Sequence, residues 1–246
     1  MTRELPRPSR WAVAASGIAG ALLIATLVTL GIGGSGAVPG AAAAAPAPPV
    51  PAPAVEQETP RVTFVGDSWT EGFGATALRG YAVLTGEQLG WDYDLLAIGG
   101  SGYSLRGVAG QGATYAERVD RVVAIGADVI VVQGSLNERN STREALAAAA
   151  LAALAGLRAE ADPATRIVVL GAAYNPGTPN ATIDWINAAI EDAAARAGVG
   201  FVDVAAENWT DPADPTVWFD PIHPNDAGYQ LIADRLQRLL LDEPDH

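Results

Sequence analysis

From Arg61 onward the chain alternates between short, nearly continuous apolar runs and longer stretches in which apolar residues recur every three or four positions. The short runs are Val62–Gly66, Tyr93–Ile98, Val129–Gln133, Ile167–Gly171 and Phe201–Val204. Each is short and mostly apolar, so each reads as a strand covered on both faces. The periodic stretches lie near 75–89, 113–125, 142–160, 181–197 and 226–241. In the last of them Tyr229, Ile232, Leu236 and Leu239 fall on one helical face, with Asp234, Arg235 and Arg238 elsewhere. Five strand–helix units in series predict right-handed crossovers and a five-stranded parallel sheet between two layers of helices, an α/β fold.

The N-terminal quarter follows a different pattern. Arg3, Arg7 and Arg10 form a basic region over 1–10 and precede an uncharged apolar run, Trp11–Ile32, long enough at 22 residues to span a bilayer. This predicts a membrane segment with the basic end in the cytoplasm and everything after it outside. Its length favours an uncleaved anchor, and the small residues Ala41–Ala45 supply the alternative, a cleaved signal and a secreted product. Residues 33–60 pass from Gly-rich to alternating Ala and Pro, a semi-rigid spacer with polyproline geometry, leaving 61–246 for one folded domain.

Charge narrows the partners. Residues 1–60 hold three Arg and three Glu, so the net charge of −13 resides in 61–246, which argues against nucleic acid as a ligand. The absence of Cys excludes a thiolate nucleophile and disulfides. The absence of Lys carries no chemistry beyond the coding bias of a GC-rich bacterial genome.

In parallel α/β sheets ligands bind beyond the carboxyl ends of the strands. The residues that follow the strands there are Gly66-Asp67-Ser68-Trp69, Gly99-Gly100-Ser101-Gly102-Tyr103-Ser104, Gly134-Ser135-Leu136-Asn137-Glu138 and, after a longer loop, Asp220-Pro221-Ile222-His223-Pro224. His223 is one of two histidines and the other, His246, is the last residue, so a serine mechanism has one base to draw on. Asp220, three residues upstream in a loop stiffened by Pro221 and Pro224, can orient the imidazole through one ring nitrogen while the other faces a cleft. Ser68 after a strand is more often a helix cap than a nucleophile, but His223 gives it a base. Gly102 can present an unhindered N–H and Asn137 a side-chain amide to an oxyanion, although a tight turn and an Asx-turn are the ordinary roles of such residues. Trp69 and Trp218 can wall a pocket or simply pack in the core, and Tyr174-Asn175-Pro176-Gly177 is a further candidate lining loop.

Together these four blocks resemble the SGNH hydrolases, the GDSL esterase/lipase family, over Arg61–Leu241. Gly66-Asp67-Ser68 matches the family's nucleophile block, Gly102 the block of the oxyanion-hole glycine, Asn137 that of the oxyanion-hole asparagine, and Asp220-Pro221-Ile222-His223 the Asp-x-x-His block. Two departures stand out: Ala97-Ile98 occupies the place where the family often has Asn, and two residues separate Gly134 from Asn137, with Glu138 in place of Asp. They leave Gly99 and Gly100 as alternatives to Gly102. The resemblance implies a flavodoxin-like three-layer α/β/α sandwich, a Ser68–His223–Asp220 triad, and an oxyanion hole of the Ser68 N–H, Gly102 and Asn137. It implies two-step acyl transfer without metal or organic cofactor, on a small-molecule, lipid or polysaccharide ester. The expectation is hydrolysis of short acyl or acetyl esters outside the cytoplasm. The alternatives are a lipase or lysophospholipase, and a catalytically silent carbohydrate-binding module.

Overall fold

The computed structural model describes residues 59–242. The expected membrane segment Trp11–Ile32, the spacer up to residue 58, and His246 lie outside the described residues. Among the described residues no helix is long and apolar enough to cross a membrane.

The five strands are β1 (Arg61–Gly66), β2 (Asp92–Ala97), β3 (Val129–Gln133), β4 (Arg166–Leu170) and β5 (Gly200–Val202). They form one parallel sheet in the order β2-β1-β3-β4-β5, with Val62 opposite both Tyr93 and Val129, Ile130 opposite Ile167 and Val169 opposite Phe201. This is the doubly wound order in which the first connection runs one way and the rest the other, placing a crevice at the carboxyl ends of β1 and β3. The central strands are buried throughout β3 and along all of β1 after Arg61, as continuous apolar runs require. The edge strand β2 carries its acidic residues outward, where Arg61 pairs with Asp92 and Asp94 at 3.6 and 3.8 Å.

The helices are α1 (Ser68–Glu71), α2 (Tyr81–Leu89), α3 (Val119–Val123), α4 (Arg143–Glu160), α5 (Asn180–Ala197) and α6 (Asp226–Leu241). Side chains alternate along the strands to feed two cores. Val65, Ile130, Val132 and Val169 pack against Leu146, Leu154 and Leu157 of α4 and Ile183, Ile186 and Ile190 of α5. On the opposite face Phe64, Val131 and Leu170 meet Tyr81 of α2 and Tyr229, Ile232, Leu236 and Leu240 of α6. Thr142 caps α4 by accepting from the Ala145 N–H, Asn225 caps α6, and Gly198 in the left-handed region, at φ 69°, ends α5.

Three elements depart from the sequence expectation. The one-turn helix α1 has too few residues for any periodicity to show. The helix expected over 75–89 starts only at Tyr81, because the chain doubles back first: Ala77 and Leu78 take positive φ of 53° and 57°, and a side chain on Gly80 would lie 2.5 Å from the Gly72 Cα. The stretch 113–125 yields a 3₁₀ turn at Ala116–Arg118 and the five-residue α3.

Two buried charged side chains tie the loops at the carboxyl edge of the sheet. Arg118 stacks on Tyr115 at 4.5 Å and donates to Gly66 O, Leu96 O and the Ser101 Oγ at 3.0, 2.6 and 3.0 Å, closing the ends of β1 and β2. Glu138, fully buried, accepts from both the N–H and the hydroxyl of Ser104, joining the loop after β3 to the loop after β2. Burial pushes the Glu138 carboxyl above the ordinary value of 4.5, against the opposing hydrogen bonds from Ser104. A group whose folded pKa is raised leaves the folded state holding the extra proton, so its contribution to stability falls as pH climbs from about 4.5 through the raised value. Urea denaturation of the wild type and of Glu138→Gln between pH 4 and 8 should therefore show the wild-type stability declining relative to the variant as pH rises; a pH-independent difference would contradict the burial argument.

Candidate active site

The first site loop begins where β1 has no room for a side chain: a Cβ on Gly66 would meet Thr70 Oγ1 at 1.9 Å, so α1 folds directly back over the strand end. Asp67 caps α1 by accepting from the Trp69 N–H at 3.0 Å, and Ser68 becomes the first helical residue, half-buried at the mouth of the crevice. Its own N–H has no hydrogen-bond partner among the described residues.

His223 and Asp220 arrive on the loop before α6. That loop is held by its own bonds: Asp220 Oδ1 accepts from the N–H groups of Ile222 and His223, both at 2.7 Å, and the Phe219 N–H donates to His223 O at 2.9 Å. From outside, the Gly177 N–H donates to Pro221 O at 2.7 Å. Asp220 Oδ2 lies 2.9 Å from His223 Nδ1, and His223 Nε2 lies 3.0 Å from Ser68 Oγ. The carboxylate therefore selects the Nδ1–H tautomer, Nδ1 donating to Asp220 and Nε2 free to accept the Ser68 hydroxyl proton. Burial raises the Asp220 pKa, but the hydrogen bond from His223 and the two backbone N–H donors outweigh it, and the carboxyl stays below its ordinary value. Asp220 is thus ionised across the neutral range and available to stabilise an imidazolium. The Phe73 ring packs on the imidazole with centroids 4.7 Å apart.

Asp67 is 1% exposed and joins the first loop to the third. Its Oδ2 accepts from Asn137 Nδ2 at 3.0 Å and lies 2.8 Å from Ser135 Oγ. Burial raises its pKa in spite of these bonds. Asn137 Nδ2 also donates to Ser101 O at 2.9 Å, so both amide hydrogens are engaged, which fixes the amide with its nitrogen toward Asp67 and the second loop.

The structure brings Ser68, Asn137 and His223 to one cleft of about 350 Å³, whose wall also includes Trp69, Phe73, Gly99, Gly100, Val108, Leu136 and Ile222. It does not bring Gly102 there. The Gly102 N–H donates to Leu105 O at 2.9 Å, and a side chain at this position would strike Glu138 Oε1 at 2.3 Å, so Gly102 is required by packing against Glu138. Gly100, with φ 72°, lines the cleft and has an N–H without a partner among the described residues, whereas the Gly99 N–H is taken by Glu71 Oε1 at 2.8 Å. Of the three glycines open in the sequence, Gly102, expected to supply the N–H, has it engaged by Leu105 O, and Gly100 is the one that lines the cleft with an N–H without a partner among the described residues.

Trp69 walls the cleft and packs edge-on against Trp218 at 6.2 Å; Trp218 stays outside the cleft wall, with its indole N–H on Asp211 O. Asn175 and Gly177 brace the histidine loop without lining the cleft. Phe73, Val108, Glu71 and Arg139 line it unannounced by any motif, though Arg139 lies two residues from Asn137 in a loop already singled out. Among the described residues no group of three or more His, Asp or Glu side chains is arranged to hold a metal ion.

A hydroxyl on a base oriented by a carboxylate, beside unpartnered N–H groups, is the equipment for attack on a carbonyl carbon. Comparison with known proteins agrees. A GDSL lipase of Mycobacterium tuberculosis is 26% identical over 192 residues, covering 73% of this chain and 80% of the relative. A crystal structure of a Lactobacillus plantarum protein superposes with a TM-score of 0.62 at 22% identity, covering 75% of this chain and 98% of that one. The acetylxylan esterase Axe2 of Geobacillus stearothermophilus, in a catalytic mutant, superposes with a TM-score of 0.53 at 19% identity, covering 77% and 97%. The model of the GDSL-like lipase/acylhydrolase family matches residues 64–231, and the chain belongs to that family of ester hydrolases.

Proposed function

We propose that the protein hydrolyses short acyl or acetyl esters through an acyl-enzyme on Ser68, outside the cytoplasm. The observation that carries this reading is the unbroken chain from Asp220 through His223 to Ser68 Oγ, with contacts of 2.9 and 3.0 Å. His223 takes the Ser68 proton through Nε2 as Oγ attacks the ester carbonyl, and ionised Asp220 stabilises the imidazolium. The N–H groups of Ser68 and Gly100, without partners among the described residues, receive the oxyanion, and Asn137 joins them by sharing with it the hydrogen that it gives to Ser101 O. His223 then protonates the leaving alcohol, water deprotonated by the same nitrogen attacks the acyl-enzyme, and the acid leaves with Ser68 restored.

The acetylxylan esterase likeness supports a small acyl group and a polysaccharide alcohol. A second reading, a lipase, is favoured by the exposed apolar side chains Phe73, Val108 and Phe219, with Phe73 and Val108 on the cleft wall and Phe219 packed edge-on against Phe73 at 5.9 Å. The apolar run Trp11–Ile32 supports export, with the catalytic domain anchored outside the membrane.

Residues 61–246 should hydrolyse p-nitrophenyl acetate and butyrate faster than the long-chain esters, and Ser68→Ala should abolish turnover; preference for long chains would favour the lipase reading, and undiminished activity in the variant would remove Ser68 from the mechanism. Asn137→Ala should lower kcat by about 100- to 1,000-fold, the usual effect of losing one oxyanion donor; a loss confined to KM would show that the amide only shapes the pocket. The intact mass of membrane-fraction protein should include residues 11–32, and a chain starting near residues 40–46 would show a cleaved signal.

A further inference from the structure

We propose that Arg139 selects ester substrates that carry an anionic group, a carboxylate or a phosphate, beside the scissile bond. This rests on the ester-hydrolase reading of the same cleft. Four titratable side chains line that cleft: Asp67, Glu71, His223 and Arg139. Three of them are committed. Asp67 is sealed beneath the surface by the Trp69 N–H and the Ser135 and Asn137 side chains, Glu71 is drawn to the second loop by the Gly99 N–H, and His223 bridges Asp220 and Ser68.

Arg139 is the exception. Its guanidinium has five N–H donors, and among the described residues it makes one hydrogen bond, from Nη1 to its own turn at Leu136 O, at 3.3 Å. It pairs with no carboxylate there, whereas Arg61, Arg79, Arg106 and Arg196 each have an acidic partner, and Arg118, Arg158 and Arg166, which lack one, each donate two or more hydrogen bonds to carbonyl oxygens. An unpaired, half-buried cation among apolar walls such as Trp69, Phe73 and Ile222 is poorly compensated as it stands. A carboxylate or phosphate on the substrate fits the planar fork through two parallel hydrogen bonds, and the apolar surroundings weaken the competing solvation. The negative charge of the domain works against long-range attraction of such a substrate, so the selectivity resides in the bound complex and is read mainly in KM.

The test compares the full chain with its Arg139→Gln and Arg139→Lys variants on two matched pairs of esters. In one pair the charge is on the acyl side, p-nitrophenyl hemisuccinate against p-nitrophenyl butyrate; in the other it is on the alcohol side, 4-acetoxybenzoate against phenyl acetate. Using the ratio of wild type to variant for each substrate cancels the intrinsic reactivity of the esters. In at least one pair, Arg139→Gln should lose about 10- to 100-fold more kcat/KM on the charged ester than on its neutral partner, the range expected for hydrogen bonds to a charged group, with Arg139→Lys restoring part of the loss. The pair that responds places the anion on the acyl or the alcohol side. Equal ratios for charged and neutral esters in both pairs would overturn the role of Arg139 while leaving the hydrolase intact. No turnover of any of the four esters by the wild type would overturn the hydrolase reading, and the selectivity with it.

Discussion

The geometry of the site depends on one buried carboxylate. Asp67 has almost no contact with solvent and receives its hydrogen bonds from the helix that starts with Ser68 and from the loop that carries Asn137. A carboxylate withdrawn from water is tolerated only when its oxygens are satisfied, so each donor is held as firmly as the cost of exposing the carboxylate demands. Ser68 and Asn137, the proposed nucleophile and oxyanion donor, therefore share one anchor, and the second loop joins them through Ser101 O, which receives the other Asn137 hydrogen. Arg118 and Glu138 extend the same principle outward, adding hydrogen bonds to the strand-end carbonyls of Gly66 and Leu96 and to the Ser104 N–H.

Against this three-loop unit stands a second one, the loop of Asp220 and His223, which is closed by its own short bonds and fixed by the packing of α6 on the sheet. The two units meet at the bond from Ser68 to His223, at the tilted packing of Phe73 against the imidazole, and where Trp69 abuts Trp218. Gly74 shows how close they lie, since a side chain there would fall 2.5 Å from Pro224 O. The alignment of Ser68 with His223 is a property of that seam, because neither unit alone holds both side chains.

The strands and the long helices were legible because their signals are periodic and their burial simple. Continuous runs such as Val129–Gln133 fit strands covered on both faces, and the spacing of Tyr229, Ile232 and Leu236 marks the buried face of α6. His223 and Asp220 were legible for a different reason: the chain has one histidine other than its last residue, and the carboxylate that orients it is local. Two features escaped the sequence because they depend on pairs far apart along the chain. Gly102 matches an oxyanion position by its neighbours, yet Glu138, 36 residues away, fills the space beside it and makes glycine a packing requirement. Leu105 O takes its N–H, and the free N–H falls to Gly100. That Arg139 has no carboxylate partner among the described residues is likewise invisible in the sequence.

The central claim is that Ser68 is the activated nucleophile and that His223 activates it. A fluorophosphonate probe that reacts covalently with such hydroxyls, followed by peptide mass mapping, tests this without knowledge of the natural ester. A single adduct on Ser68 is expected in the wild type and none in His223→Ala; an adduct on another serine, or undiminished labelling without His223, would contradict the proposed roles of the two residues.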